Sequence, residues 1–232
     1  MAKDKLKKWE ENKSFPHVFE PNLLPIIREG KTFMQGEWHE KMFKNDHPIV
    51  IELGCGKGEY TVGLGRKYPE KNFIGIDVKG HRFNKGAKES FVEGLKNVAF
   101  LRTRVEFIQS FFAKDEVDEI WLTFSDPQPQ DKTGVRRITS LHYAEKYRTF
   151  LKPGGLIHIK HDNDEVYRLA LLEFGNDPRY LIEEHHNDIY GDYFKTLSEE
   201  WQYILGIHTY YEQMWLLEGR KTKYIRVKMT GS

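Results

Sequence analysis

A chain of 232 residues is long enough to form one α/β domain with a substantial buried core. Hydrophobic residues make up 39% of it and charged residues 31%, which excludes a disordered chain. It contains no run of 18 apolar residues, so no transmembrane helix is expected, and its charged N-terminus is not expected to be a secretory signal. A single cysteine, Cys55, excludes an internal disulfide, and these features together favour a cytoplasmic protein.

The first 45 residues are polar and carry three prolines, so we expect an N-terminal arm over residues 1–45 and one domain over 46–232. From residue 48 onward, short apolar runs typical of buried strands alternate with segments typical of helices. The predicted strands are 49–51, 72–76, 98–101, 119–124 and 156–160, with a final edge strand at 224–229. The predicted helices are 59–67, 79–95, 105–113, 139–150 (N-cap Thr139) and 164–174, with a turn at 152–155.

Strands that alternate with helices predict an α/β fold with a doubly wound, mostly parallel sheet and helices on both faces, because parallel neighbours need crossover connections. In such a sheet a ligand binds beyond the carboxyl ends of the strands. The residues at or just after those ends are Glu52, Asp77, Arg104, Asp126 and Asp162. Three of the first four are acidic, which indicates a ligand with positive charge or with several hydroxyl and amino groups.

A glycine loop follows the first predicted strand. Its glycines are Gly54, Gly56 and Gly58. Glycine there allows a tight turn and a close approach of the backbone to a ligand. The dinucleotide fingerprint needs a further glycine where this chain has Glu59, and Glu52 repels a pyrophosphate but suits an α-amino group. A carboxylate such as Asp77, at the end of the next strand, takes ribose hydroxyls in nucleoside-binding folds. Together these features favour S-adenosylmethionine over NAD as the cofactor.

A second group of residues follows the fourth predicted strand, where Pro127 and Pro129 make a stiff loop that fixes Asp126 beside the cofactor. With this loop in view, the chain resembles the tRNA (guanine-N7-)-methyltransferases, which form N7-methylguanine in the variable loop of tRNA. The similarity covers about residues 48–228. Its motifs are residues 52–59, 75–77, 124–129, 136–139, 151–155, 159–163 and 209–212.

The resemblance implies a Rossmann-like methyltransferase fold, S-adenosylmethionine as cofactor and tRNA as partner. It makes Asp126 the catalytic acidic residue. The residues expected to bind the cofactor are Glu52, Gly54, Gly56, Asp77, Arg104 and Asp126. The residues expected to bind the substrate are Gln130, Arg136, Arg137, Asp162, Thr209, Tyr210, Tyr211 and Glu212. Of these, Asp162 and residues 209–212 are expected to contact the guanine or to shape its pocket.

Three positions depart from the family pattern. Gln128 stands where the family has a tryptophan, and Gln130 stands where it has a substrate lysine. Arg104 stands where an acidic residue is expected near the adenine, and either Glu106, two residues on, or the backbone alone is a candidate to take over its role.

Guanine N7 carries a lone pair and no proton, so its methylation needs no general base. We therefore expect catalysis by in-line positioning and electrostatics. Asp126 is expected to stabilise positive charge around the reacting methyl and to orient the base. Asp162 and Glu212 are expected to accept hydrogen bonds from the guanine N1–H and amino group.

Net charge is only +1, but the charges are segregated along the chain. Residues 131–152 and 220–228 are mostly basic, and residues 173–200 are mostly acidic. Such clusters either form a local basic surface or are ordinary solvated charge, and the sequence supports both equally. For contact with the RNA backbone the best candidates are Lys132, Arg136 and Arg137, with the lysine-rich arm second.

Several alternatives stay open in the sequence. The loop after Asp126 is also similar to that of exocyclic-amine methyltransferases, although no aromatic residue follows its prolines. An inactive RNA-binding protein on the same scaffold is a second alternative. Tyr210 and Tyr211 either stack on bases or pack in the core. No metal is expected, because His158 and His161 face opposite sides of a strand, and both a monomer and a homodimer are compatible with the sequence.

Overall fold

The computed structural model describes residues 2–128 and 134–231. Within them one sheet is formed by β1 (Val18–Phe19), β2 (Ile49–Leu53), β3 (Asn72–Asp77), β4 (Val98–Arg102), β5 (Val117–Thr123), β6 (Leu151–His161), β7 (Tyr180–His186) and β8 (Lys223–Met229). Their order across the sheet is β1-β4-β3-β2-β5-β6-β8-β7. All pairs from β1 to β6 are parallel, and β8 is antiparallel to β6 and β7. The predicted doubly wound, mostly parallel sheet is confirmed.

Helices cover both faces of this sheet. The α-helices of the described residues are α1 (Ala2–Asn12), α2 (Leu23–Glu29), α3 (Glu59–Lys67), α4 (Gly80–Val92), α5 (Leu141–Tyr147), α6 (Asp164–Gly175), α7 (Asp192–Thr196), α8 (Glu199–Gly206) and α9 (Tyr210–Leu217). On β2, Ile49 and Ile51 pack in an apolar cluster with α5 and α6, whereas Val50 packs in a second cluster with α3 and α8. Both faces of β2 are therefore buried, which explains its unbroken apolar sequence.

The order of the strands reverses at β2. From β2 the chain continues through β3 and β4 on one side, and through β5 and β6 on the other. In open α/β sheets a ligand binds at such a switch point, outside the carboxyl ends of the strands. The glycine loop, Asp77 and Asp126 follow the ends of β2, β3 and β5, so the topology brings these predicted site residues to one edge of the sheet.

The C-terminal strand corrects one prediction. β8 is not the edge strand expected at 224–229, because it lies between β6 and β7, and β7 forms the edge. Acidic residues of β7 pair with basic residues of β8: Arg226 binds Glu183 at 3.1 Å and Glu184 at 3.2 Å. The mostly acidic segment 173–200 therefore contains a strand, β7, whose carboxylates form ion pairs with basic residues of β8.

Three local predictions also need correction. The turn expected at 152–155 lies within the bounds of β6. The pairing of β6 with β5 is irregular there, because it passes from Leu151 directly to Leu156 and leaves residues 152–155 without partners on β5. The helix expected at 105–113 is a short 3-10 helix, Val105–Ser110. The helix expected at 139–150 begins at Leu141, so Ser140 and not Thr139 is its N-cap residue. The first difference is an irregularity within a strand, the second is a change of helix type, and the third is a shift of a helix boundary by two residues, where local hydrogen bonding competes with the regular pattern.

The first 45 residues are more regular than expected. α1 packs against α4, where Asn12 Nδ2 donates to Gly80 O (3.1 Å) and Asn84 Nδ2 donates to Asn12 Oδ1 (3.0 Å). β1 pairs in parallel with β4, and a π-helix covers Trp38–Phe43. The division into an arm over 1–45 and a domain over 46–232 stays a prediction, but these contacts hold α1 beside the start of α4.

Candidate active site

The glycine loop between β2 and α3 forms an open cradle. Gly54 and Gly56 have φ values of +79° and +57°, and a Cβ atom at either position would meet nothing within 4 Å. The N–H groups of Gly54 and Cys55 both donate to Ile76 O, at 2.8 and 3.0 Å, which fixes the loop on β3. Burial raises the pKa of the Cys55 thiol, as fits a small packing residue rather than a nucleophile. The loop therefore presents bare backbone to an open space that suits a ligand.

Asp77, at the end of β3, is held beside this cradle by backbone donors. Its Oδ2 accepts from Gly56 N at 3.1 Å and its Oδ1 accepts from Lys79 N at 2.8 Å. Burial raises the pKa of Asp77, although these two donors oppose the shift. A carboxylate has about four acceptor positions, so roughly two remain for hydroxyl groups of a ligand.

Glu52, on β2, lies beneath the cradle rather than in it. Its Oε2 accepts from the backbone N–H of Thr61 (3.0 Å) and from the Thr61 hydroxyl (2.5 Å), and its Oε1 accepts from the Thr123 hydroxyl (2.5 Å). Burial raises the pKa of Glu52 to about 7, against the effect of these hydrogen bonds. One acceptor position remains on Oε1, so a direct contact between Glu52 and the cofactor stays a prediction.

The loop that carries Asp126 has unusual backbone geometry. Phe124 and Gln128 have φ values of +48° and +47°, which non-glycine residues rarely adopt. Asp126 is exposed, and its Oδ1 accepts from Gln128 N at 3.1 Å. His161 Nε2 donates to Ser125 O at 2.7 Å and ties this loop to the end of β6. Backbone strain of this kind concentrates at functional sites, where surrounding contacts maintain it.

Two clefts lie at this edge of the sheet. The larger, here called the outer cleft, has a volume of about 550 Å³ and contains Asp77, Arg104, Glu106 and Asp126. The smaller, here called the inner cleft, lies between the glycine loop and the start of α9. The residues that line both clefts are Gly54, Arg82 and Phe124. A ligand in one cleft can therefore meet a ligand in the other at this junction.

The family's missing acidic residue has a counterpart in the outer cleft. Arg104 and Glu106 both line it, and the Arg104 Nη2 and Glu106 Oε1 atoms lie 2.8 Å apart. Glu106 thus supplies a carboxylate close to the position at which Arg104 stands in the sequence.

The start of α9 forms a wall of the inner cleft. Thr209 is its N-cap: the hydroxyl accepts from Glu212 N (3.1 Å), and Glu212 Oε2 accepts from Thr209 N (3.4 Å), a capping box. Tyr210 and Tyr211 are 46% and 43% exposed, so they are not core residues. Lys57 Nζ, on the opposite wall, lies 3.3 Å from the ring centroid of Tyr210. Predicted residues 209–211 thus face the glycine loop.

Two predicted guanine-binding acids lie outside both clefts. The Glu212 side chain is completely buried and 2.9 Å from Lys160 Nζ. The Asp162 side chain is about 10% exposed, and its Oδ2 accepts from Arg220 Nη1 at 2.9 Å. The geometry therefore indicates that Glu212 and Asp162 shape the pocket and do not contact the base directly.

The structure separates the two adjacent arginines predicted to bind RNA. Arg136 is exposed and lines the outer cleft. Arg137 is only 4% exposed and forms an ion pair with Glu173 of α6. Contact with RNA phosphates is thus favoured for Arg136 and disfavoured for Arg137, because a buried and paired guanidinium is not available to a backbone. Gln130 and Lys132 lie outside the described residues.

The basic cluster at 220–228 is an ion-paired surface. Its five cations each lie within 4 Å of a carboxylate: Arg220, Lys221, Lys223, Arg226 and Lys228. A different group of cations surrounds His81 on α4, where burial and four positive side chains lower the pKa of the imidazole. These four are Lys5, Arg82, Lys79 and Lys8. Of these four, Lys79 and Arg82 line the outer cleft, whereas Lys8 of α1 lies 3.2 Å from Asp4.

Sequence reasoning missed the residues that support the site from behind. Thr61 and Thr123 hold Glu52, and Lys160 holds Glu212. A hydroxyl on the first turn of α3 and a lysine within an apolar strand are weak signals. The partners of Lys160 lie up to 52 positions away in the chain, so no local pattern reveals them.

Neither a candidate metal centre nor a membrane-spanning helix is present in the described parts of the chain. There, His, Cys, Asp and Glu side chains form no group of three or more that could hold a metal ion. Nor does any helix of residues 2–128 and 134–231 have the length and apolar character needed to span a membrane. His158 has a protein partner, since its Nδ1 lies 2.8 Å from the Tyr224 hydroxyl.

The open glycine cradle, the carboxylate of Asp77 and the switch-point cleft fit S-adenosylmethionine, which carries a ribose and an α-amino acid. Asp77 has acceptor positions left for the ribose hydroxyls, and the bare backbone at Gly54 and Gly56 leaves room for the methionine part. The fold and the site together define a Rossmann-like S-adenosylmethionine-dependent methyltransferase.

Comparison with known proteins narrows this class. A family described as a putative methyltransferase matches residues 46–225. The tRNA (guanine-N(7)-)-methyltransferase of Bacteroides thetaiotaomicron is 49% identical over 99% of this chain and 87% of its own length. That of Porphyromonas gingivalis is 50% identical over 91% and 84%. Among solved structures, the 16S rRNA methyltransferase KamB is 14% identical with a TM-score of 0.59 over 86% of this chain and 95% of its own, which supports the fold.

The chain belongs to the tRNA (guanine-N(7)-)-methyltransferase family.

Proposed function

We propose that this protein transfers a methyl group from S-adenosylmethionine to N7 of a guanine in the variable loop of tRNA. The observation that carries the proposal is the junction of the two clefts at Gly54 and Phe124. One cleft has the features of a nucleoside cofactor site. The other has exposed tyrosines and a lysine, the surface that an unstacked base favours.

In this proposal the cofactor supplies an electrophilic methyl group on a sulfonium. Asp77 binds the ribose hydroxyls, Glu106 and Arg104 lie on the adenine side, and Gly54 and Gly56 admit the methionine part. Glu52 acts from beneath the loop, through its free acceptor position or through Thr123. These residues bind and orient the cofactor, and none is required to move a proton.

The chain's contribution to the chemistry is electrostatic and positional. Guanine N7 attacks the methyl group with its own lone pair as the methyl–sulfur bond breaks and a neutral thioether leaves. The positive charge thereby moves from the sulfonium to the purine ring, where a nearby carboxylate stabilises it. Asp126 is the exposed carboxylate of the outer cleft that the strained loop holds in place, and we assign it this role. Tyr210 and Tyr211 bind the base by stacking, and Asp162 and Glu212 shape the pocket from outside it.

The tRNA backbone is proposed to lie across Arg136 and the cations around His81, which are Lys5, Lys8, Lys79 and Arg82. Phosphate contacts of this kind make RNA binding fall steeply with salt. A tRNA substrate also implies a cytoplasmic location.

The test is incubation of the protein with unmodified tRNA and labelled S-adenosylmethionine, followed by digestion and nucleoside analysis. N7-methylguanosine as the labelled product supports the proposal. Label in N6-methyladenosine or N4-methylcytidine would show an exocyclic-amine methyltransferase instead. RNA binding with no label and no cofactor binding at millimolar concentration would show an inactive RNA-binding protein.

A further inference from the structure

A fully buried ion pair lies behind the inner cleft, where Lys160 of β6 meets Glu212 of α9. Both side chains are 0% exposed. The Lys160 ammonium uses all three of its protons: it donates to Leu205 O (2.7 Å), Ile207 O (3.0 Å) and Glu212 Oε2 (2.9 Å). Three acceptors around one nitrogen favour the charged form of the lysine, and although burial lowers the pKa of Lys160 to about 8, Glu212 opposes this shift.

The carboxylate of Glu212 is equally occupied. Besides Lys160, it accepts from the Tyr190 hydroxyl (2.6 Å), the Thr222 hydroxyl (3.3 Å) and Thr209 N (3.4 Å). A carboxylate has about four acceptor positions, and these four donors fill them. Glu212 therefore has no acceptor left for the N1–H or the amino group of a guanine.

We propose that Lys160 and Glu212 are a positioning pair, which holds the start of α9 against β6 so that Tyr210 and Tyr211 form the base-binding wall of the inner cleft. This inference rests on the proposed function and gives Glu212 a role as the counter-charge of Lys160 instead of a contact to the base. The pair joins five segments at one point: the end of β6, the end of α8, the start of α9, and the loops that carry Tyr190 and Thr222.

The electrostatics favour this assignment. Removing one member of a buried pair leaves an uncompensated charge in the interior, whereas removing both charges together is often tolerated. A catalytic or base-binding carboxylate behaves differently, because its loss cannot be repaired by removing a lysine behind it.

The experiment compares Lys160→Met, Glu212→Gln and the double variant Lys160→Met/Glu212→Gln by hydrogen exchange of residues 207–213, by melting temperature, and by kcat and KM for tRNA. We expect Lys160→Met to speed exchange in 207–213 and to lower kcat/KM for tRNA at least tenfold, with the Kd for S-adenosylmethionine within about threefold of wild type. S-adenosylmethionine binding should change least in Lys160→Met, because the outer cleft contains no residue of α9. The double variant is expected to recover slow exchange and at least part of kcat/KM.

The control is Lys71→Met, which makes the same substitution in a partly exposed ion pair, with Glu119 at 2.7 Å, near the amino ends of the strands. It should lower the melting temperature without changing exchange in 207–213 or the KM for tRNA. If Lys160→Met fails to fold, hydrogen exchange, melting temperature and activity are compared between the double variant and Glu212→Gln instead.

Two results would overturn the positioning pair. The first is an unchanged rate of hydrogen exchange at residues 207–213 in Lys160→Met. Hydrogen exchange does not depend on enzyme activity, so this test applies even if the wild type makes no N7-methylguanosine. Absence of that product would reject the proposed function alone. The other is a double variant with wild-type exchange and melting temperature but no more activity than Glu212→Gln. That outcome would show that the carboxylate itself contacts the base.

Discussion

The two walls of the site are built in different ways. The side proposed to bind the cofactor, here called the cofactor side, comes from consecutive strand–loop–helix units, in which the glycine loop, Asp77 and Asp126 each lie at or just after the end of a strand. The C-terminal wall comes from segments far apart in sequence, joined by buried polar groups such as Lys160 and Glu212. The cofactor side therefore depends on local backbone geometry, whereas the C-terminal wall depends on long-range charge pairing. Substitutions on the two sides should separate cofactor binding from RNA binding.

The largest effect is expected at Asp126, which lies in the outer cleft near the junction of the two sides. Asp126→Ala should lower kcat on the order of 100-fold or more, as removal of a preorganised electrostatic group does. Single-turnover methylation of tRNA measures it. The Kd for tRNA should stay within a few-fold of wild type. Retention of full kcat would remove Asp126 from the mechanism.

On the C-terminal side, Tyr211→Ala should raise the KM for tRNA by about 5- to 100-fold, because stacking on an aromatic ring contributes about 1–3 kcal/mol per base. Cofactor binding should be unaffected. The matched control is Tyr203→Ala, which removes a 37% exposed tyrosine of α8 that lines neither cleft. Equal KM changes in the two variants would contradict a specific stacking role.

On the cofactor side, Gly54→Ala should weaken S-adenosylmethionine binding about tenfold, because its Cβ projects into the open cradle. Gly94→Ala is its control: Gly94 also has a positive φ, +68°, with no atom within 4 Å of a Cβ, but lies outside both clefts. Both variants should lose about 1 kcal/mol of stability through backbone strain. Calorimetric titration measures the Kd for S-adenosylmethionine in both variants. Similar Kd values for Gly54→Ala and Gly94→Ala would contradict binding of the cofactor at the glycine loop.

The smallest effect is a pH dependence set by Glu52. Its pKa is raised to about 7 in the folded protein, so between about pH 4.5 and 7 the folded state binds more protons than the unfolded state. The stabilising contribution is therefore complete at low pH and is lost as pH rises through 7. Between pH 6 and pH 8 it should change by about 1 kcal/mol. Denaturant unfolding of wild type and Glu52→Gln at both pH values measures it, and parallel profiles would contradict the raised pKa.

The sequence predicts the cofactor side well for a physical reason. Strand, glycine loop and acidic strand end are local patterns, and α3 and β3 begin at the residues expected, Glu59 and Asn72. The C-terminal wall is harder, because burial decides the role of a charged residue there. In the sequence Arg136 and Arg137 are equivalent, and Glu212 looks available to a base. Only the fold shows that Arg137 pairs with Glu173 and Glu212 with Lys160.

Methyl transfer to guanine N7 can be tested with a tRNA in which a single atom of the target base is altered. The substrate is a tRNA with 7-deazaguanosine at the target position of the variable loop, in which a C–H group replaces N7. We expect unchanged tRNA binding and no methyl transfer to this substrate, beside rapid transfer to the matched guanosine tRNA. Methylation of the 7-deaza substrate at an undiminished rate would contradict it.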